Sequence, residues 1–150
     1  MSHLFRARHW RIAGCLVLLL LGVLSPAQAV GTLSVTGPTN GLITIAWTSS
    51  AGGAVSGNSF TVPNAQIKQV KYVPGSGGSQ PTDLYDITLT DADGLDLLGG
   101  TGANLSNAAA ALFTDLNVWI VLPAAANTVD LVVANAGNAK SGTVYLLLVP

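Results

Sequence analysis

From Val30 to Pro150, apolar residues recur at every second position in short runs that Gly, Pro, Asn and Asp cut apart. A period of two belongs to strands, whose side chains alternate between two faces. No run carries the longer apolar stripe of an amphipathic helix. Parallel strands need crossover helices to join and cover them, so a parallel α/β fold is excluded. Roughly seven to nine short strands, with turn signals about every 8–12 residues, predict one all-β domain over residues 30–150, an antiparallel β-sandwich or jelly roll.

Leu33 and Val35 share one face of a first strand, and Asn40-Gly41 offers a turn pair that tolerates positive φ. Ile43, Ile45 and Trp47 then alternate with Leu42, Thr44, Ala46 and Thr48. Phe60-Thr61-Val62 is brief and stops at Pro63. Ala65 and Ile67 fall on one parity but Val70 and Tyr72 on the other, which predicts a β-bulge at Lys68 or Gln69. The Gly/Ser-rich stretch from Pro74 to Pro81 predicts a mobile loop. Tyr85, Ile87 and Leu89 alternate with polar residues, Asp91-Ala92-Asp93-Gly94 turns, and Leu95 to Leu98 is expected to return as the second arm of a hairpin. Leu105, Ala108, Ala109 and Leu112 recur at helical spacing after Ser106, which predicts a loop with at most one or two helical turns. Strand character resumes in Leu116 to Leu122, Thr128 to Ala134 and Thr143 to Val149, the last apolar on both faces as a central, doubly covered strand would be.

Residues 1–29 have a different grammar. Arg6, Arg8 and Arg11 precede an apolar run from Ile12 to Leu24, and Ser25-Pro26-Ala27-Gln28-Ala29 ends small-x-small. This is the layout of a signal helix removed after Ala29, and the run is shorter than the about 20 residues a membrane-spanning helix needs. A secreted, periplasmic or extracellular protein with no membrane attachment after cleavage is expected. Cleavage would remove every Arg, His, Cys and Met, leaving three Lys and seven Asp, a formal charge of −4. An acidic surface without Arg is a poor match for phosphate backbones, so nucleic acid is not an expected partner. Without Cys, neither a disulfide frame nor a Cys-based metal site can form.

The remaining residue types limit the chemistry. A Ser or Thr nucleophile would have only Lys or Asp as its base, and Lys140-Ser141 are merely adjacent. Gly99-Gly100-Thr101-Gly102 lacks the Lys of a phosphate loop. No catalytic residues are assigned and no enzyme is expected. Asp91, Asp93 and Asp96 form an Asp-x-Asp-Gly-x-Asp cluster, the one candidate calcium site, since hard cations take several carboxylates from a tight loop. The cluster departs from the EF-hand in its Gly position and lacks the closing Glu; the same residues also suit a plain hairpin turn. Trp47, Tyr72, Tyr85, Trp119 and Tyr145 could together stack on a sugar, although Trp47 and Tyr85 lie on faces assigned to the core. Trp119 falls beside Asn117 and Val121, on the parity opposite Leu116, Val118, Ile120 and Leu122, and is the candidate partner or ligand contact.

Two longer stretches carry a resemblance. Val70-Lys71-Tyr72-Val73, the Gly/Ser loop and the run from Pro81 through Tyr85, Asp91, Asp93 and Leu98 to Gly100 resemble small β-rich structural or decoration-like proteins encoded by tailed phages and prophages. Val133-Ala134-Asn135-Ala136-Gly137-Asn138-Ala139-Lys140-Ser141-Gly142-Thr143-Val144-Tyr145-Leu146 resembles the same group. The resemblance implies a non-enzymatic structural role on a virion, beside the exported location that the signal implies. Charged residues are also sparse after Val30, against the about 25–35% usual for the surface of a solitary domain, which predicts that a protein partner or a second copy covers part of it. The expected function is a structural or surface-interaction module; the alternative is a secreted carbohydrate-binding module, with or without calcium at Asp91–Asp96.

Overall fold

In the computed structural model the described residues are 30–120 and 128–150. The expected signal helix in residues 1–29 and the end of the Leu116–Leu122 run lie outside them. Eight strands form: β1 Thr32–Thr39, β2 Leu42–Thr48, β3 Ser59–Thr61, β4 Ala65–Pro74, β5 Asp86–Thr90, β6 Ala111–Ile120, β7 Thr128–Ala134 and β8 Ser141–Val149. They pair antiparallel into a five-stranded sheet, β1-β2-β8-β4-β6, and a three-stranded sheet, β3-β7-β5. From β2 onward every connection carries the chain from one sheet to the other, the wrapping of a jelly roll. The fold is all-β and antiparallel, as the alternation predicts.

One hydrophobic cluster fills the space between the sheets. Ile43, Ile45 and Trp47 of β2, Val70 and Tyr72 of β4, and Val144 and Leu146 of β8 meet Ile87 and Leu89 of β5 and Leu131 and Val133 of β7, all at most 2% exposed. Trp47 and Tyr85 pack at 5.8 Å between ring centroids, tilted by 45°, so both are core residues. β8 is central, between β2 and β4, but it is not doubly covered: one row of its side chains is buried in the core and the outward row is only half-buried. Asn40 and Gly41, with φ of 51° and 79°, form the tight turn between β1 and β2, whose Thr39 and Leu42 are paired.

The bulge lies where the parity break places it. Between Ile67 and Gln69 the register of β4 shifts against both β6 and β8. On β6 the extra residues include Asp115 and Asn117, both at positive φ, and Lys68 Nζ reaches Asp115 Oδ1 at 3.2 Å and Asn117 Oδ1 at 3.0 Å. The shift lets Ala111 and Phe113 pack toward the core on one side of the bulge and Leu116 and Val118 on the other.

Two expectations, the Leu95–Leu98 return strand and the mobile Pro74–Pro81 loop, need correction. Leu95 to Leu98 does not return as a strand, and β5 pairs instead with β7. The Thr90–Asp96 bridge and the bonds from Leu97 N to Leu89 O at 2.7 Å and from Asp91 N to Leu95 O at 3.2 Å are what remains of that hairpin, because the Asp96 carboxylate gathers nearby amides and turns the chain. Between Gly99 and Ala110 the chain is a loop, within the expected limit of one or two helical turns: Leu105 is buried and bridges Tyr85, Ala108 to Ala110 are exposed, and β6 begins at Ala111. Alanine favours helix, but this run has no buried face to hold one. The Pro74–Pro81 loop is tethered, with Gly75 N donating to Ser141 O at 2.8 Å, Lys140 Nζ to Gly78 O at 3.0 Å, and one 3-10 turn at Gly77–Ser79.

Candidate functional site

β8 alternates a fully buried row with a half-buried one, so the outward face of the five-stranded sheet is apolar at its centre. Register sets two adjacent rows across four strands. The first runs Leu42 (β2), Leu147 (β8), Gln69 (β4), Thr114 (β6); the second runs Thr44, Tyr145, Lys71, Leu112. Six of these residues, Leu42, Gln69, Lys71, Leu112, Tyr145 and Leu147, line a shallow groove of about 360 Å³. Leu42 is 40% and Leu112 59% exposed. Lys71 is the only charged residue in the lining, and it has no ion-pair or hydrogen-bond partner among the described residues.

The sequence-derived candidates fall elsewhere. Asp91 Oδ1 accepts the amides of Asp93 at 3.0 Å and Leu95 at 2.9 Å, which folds the turn on itself. Asp96 accepts three amides, from Leu89, Leu98 and Gly100, at 3.2, 3.0 and 2.8 Å. Asp93 is exposed, and its carboxylate engages none of the described residues. Among the described residues no group of three His, Cys, Asp or Glu converges as a metal ion would need, and Asp91 and Asp96 instead cap backbone amides of the turn. The backbone of Trp119 pairs with Gln66; its side chain lies outside the described residues.

Three of the five aromatics considered for sugar stacking are interior. Trp47, Tyr72 and Tyr85 are 2%, 1% and 1% exposed, and only Tyr145 of the described set borders the groove. Burial pushes the Tyr85 phenol up to about 12. Burial is also the main cause that raises Tyr72 to about 12, partly offset by its 3.0 Å hydrogen bond with the Thr101 hydroxyl. Trp47, Tyr72 and Tyr85 therefore cannot contribute to an exposed platform.

Reading along single strands misses the groove because its residues come from four of them. The signals present in the sequence were the doubly apolar character of β8 and the parity break at Lys68, which together place Leu147, Tyr145, Lys71 and Leu112 on one outward face. No protein-family model, no curated protein and no solved structure matches the chain.

Proposed function

We propose that residues 30–150 act as a non-enzymatic structural or surface-interaction module, exported or carried on a virion, that works through protein–protein contact on the outward face of the five-stranded sheet. The observation that carries this reading is the groove itself: Leu42, Leu112, Leu147 and Tyr145 from three strands flank Gln69 and Lys71 of β4, a largely apolar surface with a single cation that has no partner among the described residues. An apolar centre with charge thinned out is the composition of a contact patch rather than of an idle surface. The scarcity of charge after Val30 points the same way.

The test is the state of the natively expressed protein in periplasm, medium and purified particles, read by size-exclusion chromatography with light scattering and by intact mass. Wild-type protein should run above the mass of a single chain. Leu112→Asp should release single chains with an unchanged far-ultraviolet circular dichroism spectrum and melting temperature. Wild-type protein running as a single chain in every fraction would remove the proposal. A species beginning at Val30 outside the cytoplasm would support export; a Met1 species on particles would support the virion.

A further inference from the structure

Resting on the reading of this groove as a contact surface, we infer that its occupant is a second copy of this chain, which inserts the Asp91–Leu95 turn with Leu95 as an apolar knob and Asp93 facing Lys71. Leu95 is 65% exposed, more than Leu42, Leu84 or Leu112, although the residues that follow it, Leu97 and Leu98, are buried. The turn that presents it is not loose. Asp91 Oδ1 holds the amides of Asp93 and Leu95, Gly94 N donates to Asp91 O at 3.0 Å, and Asp91 N donates to Leu95 O at 3.2 Å. A preformed projection loses little entropy on docking.

Charge completes the match. Of the three lysines after Val30, Lys68 is paired with Asp115 and Lys140 is bonded to Gly78 O, which leaves Lys71, in the groove. The carboxylates divide similarly. Asp83 accepts Asn107 N, Asp86 accepts Asn104 N and Asn135 Nδ2, Asp91 and Asp96 cap the turn, Asp115 holds Lys68, and one oxygen of Asp130 is buried. Asp93, two residues from Leu95, is the exposed carboxylate left without a partner among the described residues. Leu84 is the rival knob at 57% exposure, but its neighbour Asp83 is committed to Asn107 N.

Knob and groove lie on different sheets: the turn follows β5 of the three-stranded sheet, and the groove is on the five-stranded one. Two copies joined this way leave one groove and one knob unused, so the contact is heterologous and propagates into a ring or a chain. A single loop in a shallow groove makes a weak contact, so association is expected to depend strongly on protein concentration.

The experiment is sedimentation velocity on the purified full-length gene product, in the form its cell produces, over a concentration series at low and high salt. Wild-type protein should associate beyond a dimer, and less so as salt rises. Lys71→Asp or Asp93→Lys alone should weaken association at least about tenfold, and the two reversals combined in one chain should restore it. Leu95→Asp and Leu112→Asp proteins should each be monomeric, yet a mixture of the two should form one-to-one dimers and stop, because one supplies the intact groove and the other the intact knob. A Leu95→Asp variant that associates like wild type, the outcome of a face-to-face dimer through the groove, overturns the inference, as does a mixture that stays monomeric. Purified wild-type protein that stays monomeric while native fractions still hold a Leu112-dependent complex would overturn self-docking and leave the interaction-module reading standing.

Discussion

Asp96 and Asp93 belong to one acidic cluster in the sequence but do different work. The Asp96 carboxylate accepts amides from three residues, and the turn it organises carries Leu97 and Leu98 into the core. Hydrogen bonds to a charged acceptor contribute about 1.5–3 kcal/mol each at most, and partial solvent access lets water replace some of them. Asp96→Ala should therefore lower the unfolding free energy by about 2–3 kcal/mol in urea titrations, while Asp93→Ala should stay within about 0.5 kcal/mol of wild type. Equal losses from the two variants would mean that the cluster acts as a unit, against its assignment to backbone capping.

The pairing of β2 with β8 sets Trp47 directly opposite Gly142. A Cβ on Gly142 would stand 2.6 Å from Trp47 Cζ2 and 2.9 Å from Val73 O, so the indole ring occupies the space a side chain would take. Gly142→Ala should cost about 1–3 kcal/mol by overpacking and should alter the near-ultraviolet dichroism of the displaced indole. An unshifted spectrum and melting temperature would show that the ring does not need the gap. Elements of this kind mark the limit of what alternation reveals. β2, the Asn40-Gly41 turn, the bulge at Lys68 and the central place of β8 were legible, because burial on one face and turn geometry act over a few residues. The arm from Leu95 to Leu98 was not, because its strand-like pattern reflects two buried leucines held by a capping carboxylate rather than a partner strand. The groove was hidden for a related reason: Leu42, Leu112 and Leu147 are brought together only by cross-strand register, a long-range property.

At the scale of the whole molecule, a single core between two sheets means that a group buried in it reports on global unfolding. Tyr72 hangs from the five-stranded sheet, Tyr85 precedes β5 of the other, and both are buried with their phenols raised from 10.0 to about 12. Between pH of about 10 and about 12 the unfolded chain has therefore given up these protons while the folded chain keeps them. The unfolded state binds fewer protons in that window, so stability is fully present below the lower value and falls as pH rises toward the upper one, with a limiting slope of about 1.4 kcal/mol per pH unit for each tyrosine. Phenolate absorbance and far-ultraviolet dichroism followed in parallel should thus show these two tyrosines ionising together with loss of the sheet signal. Tyr72→Phe should flatten the slope by one tyrosine while losing about 1 kcal/mol at neutral pH through the missing bond to Thr101. Ionisation of either phenol well below its raised value, with the strand signal intact, would show that water reaches the ring in the native state. The two sheets would then part locally before the fold is lost, and the shared core could not be the single unit that holds them together.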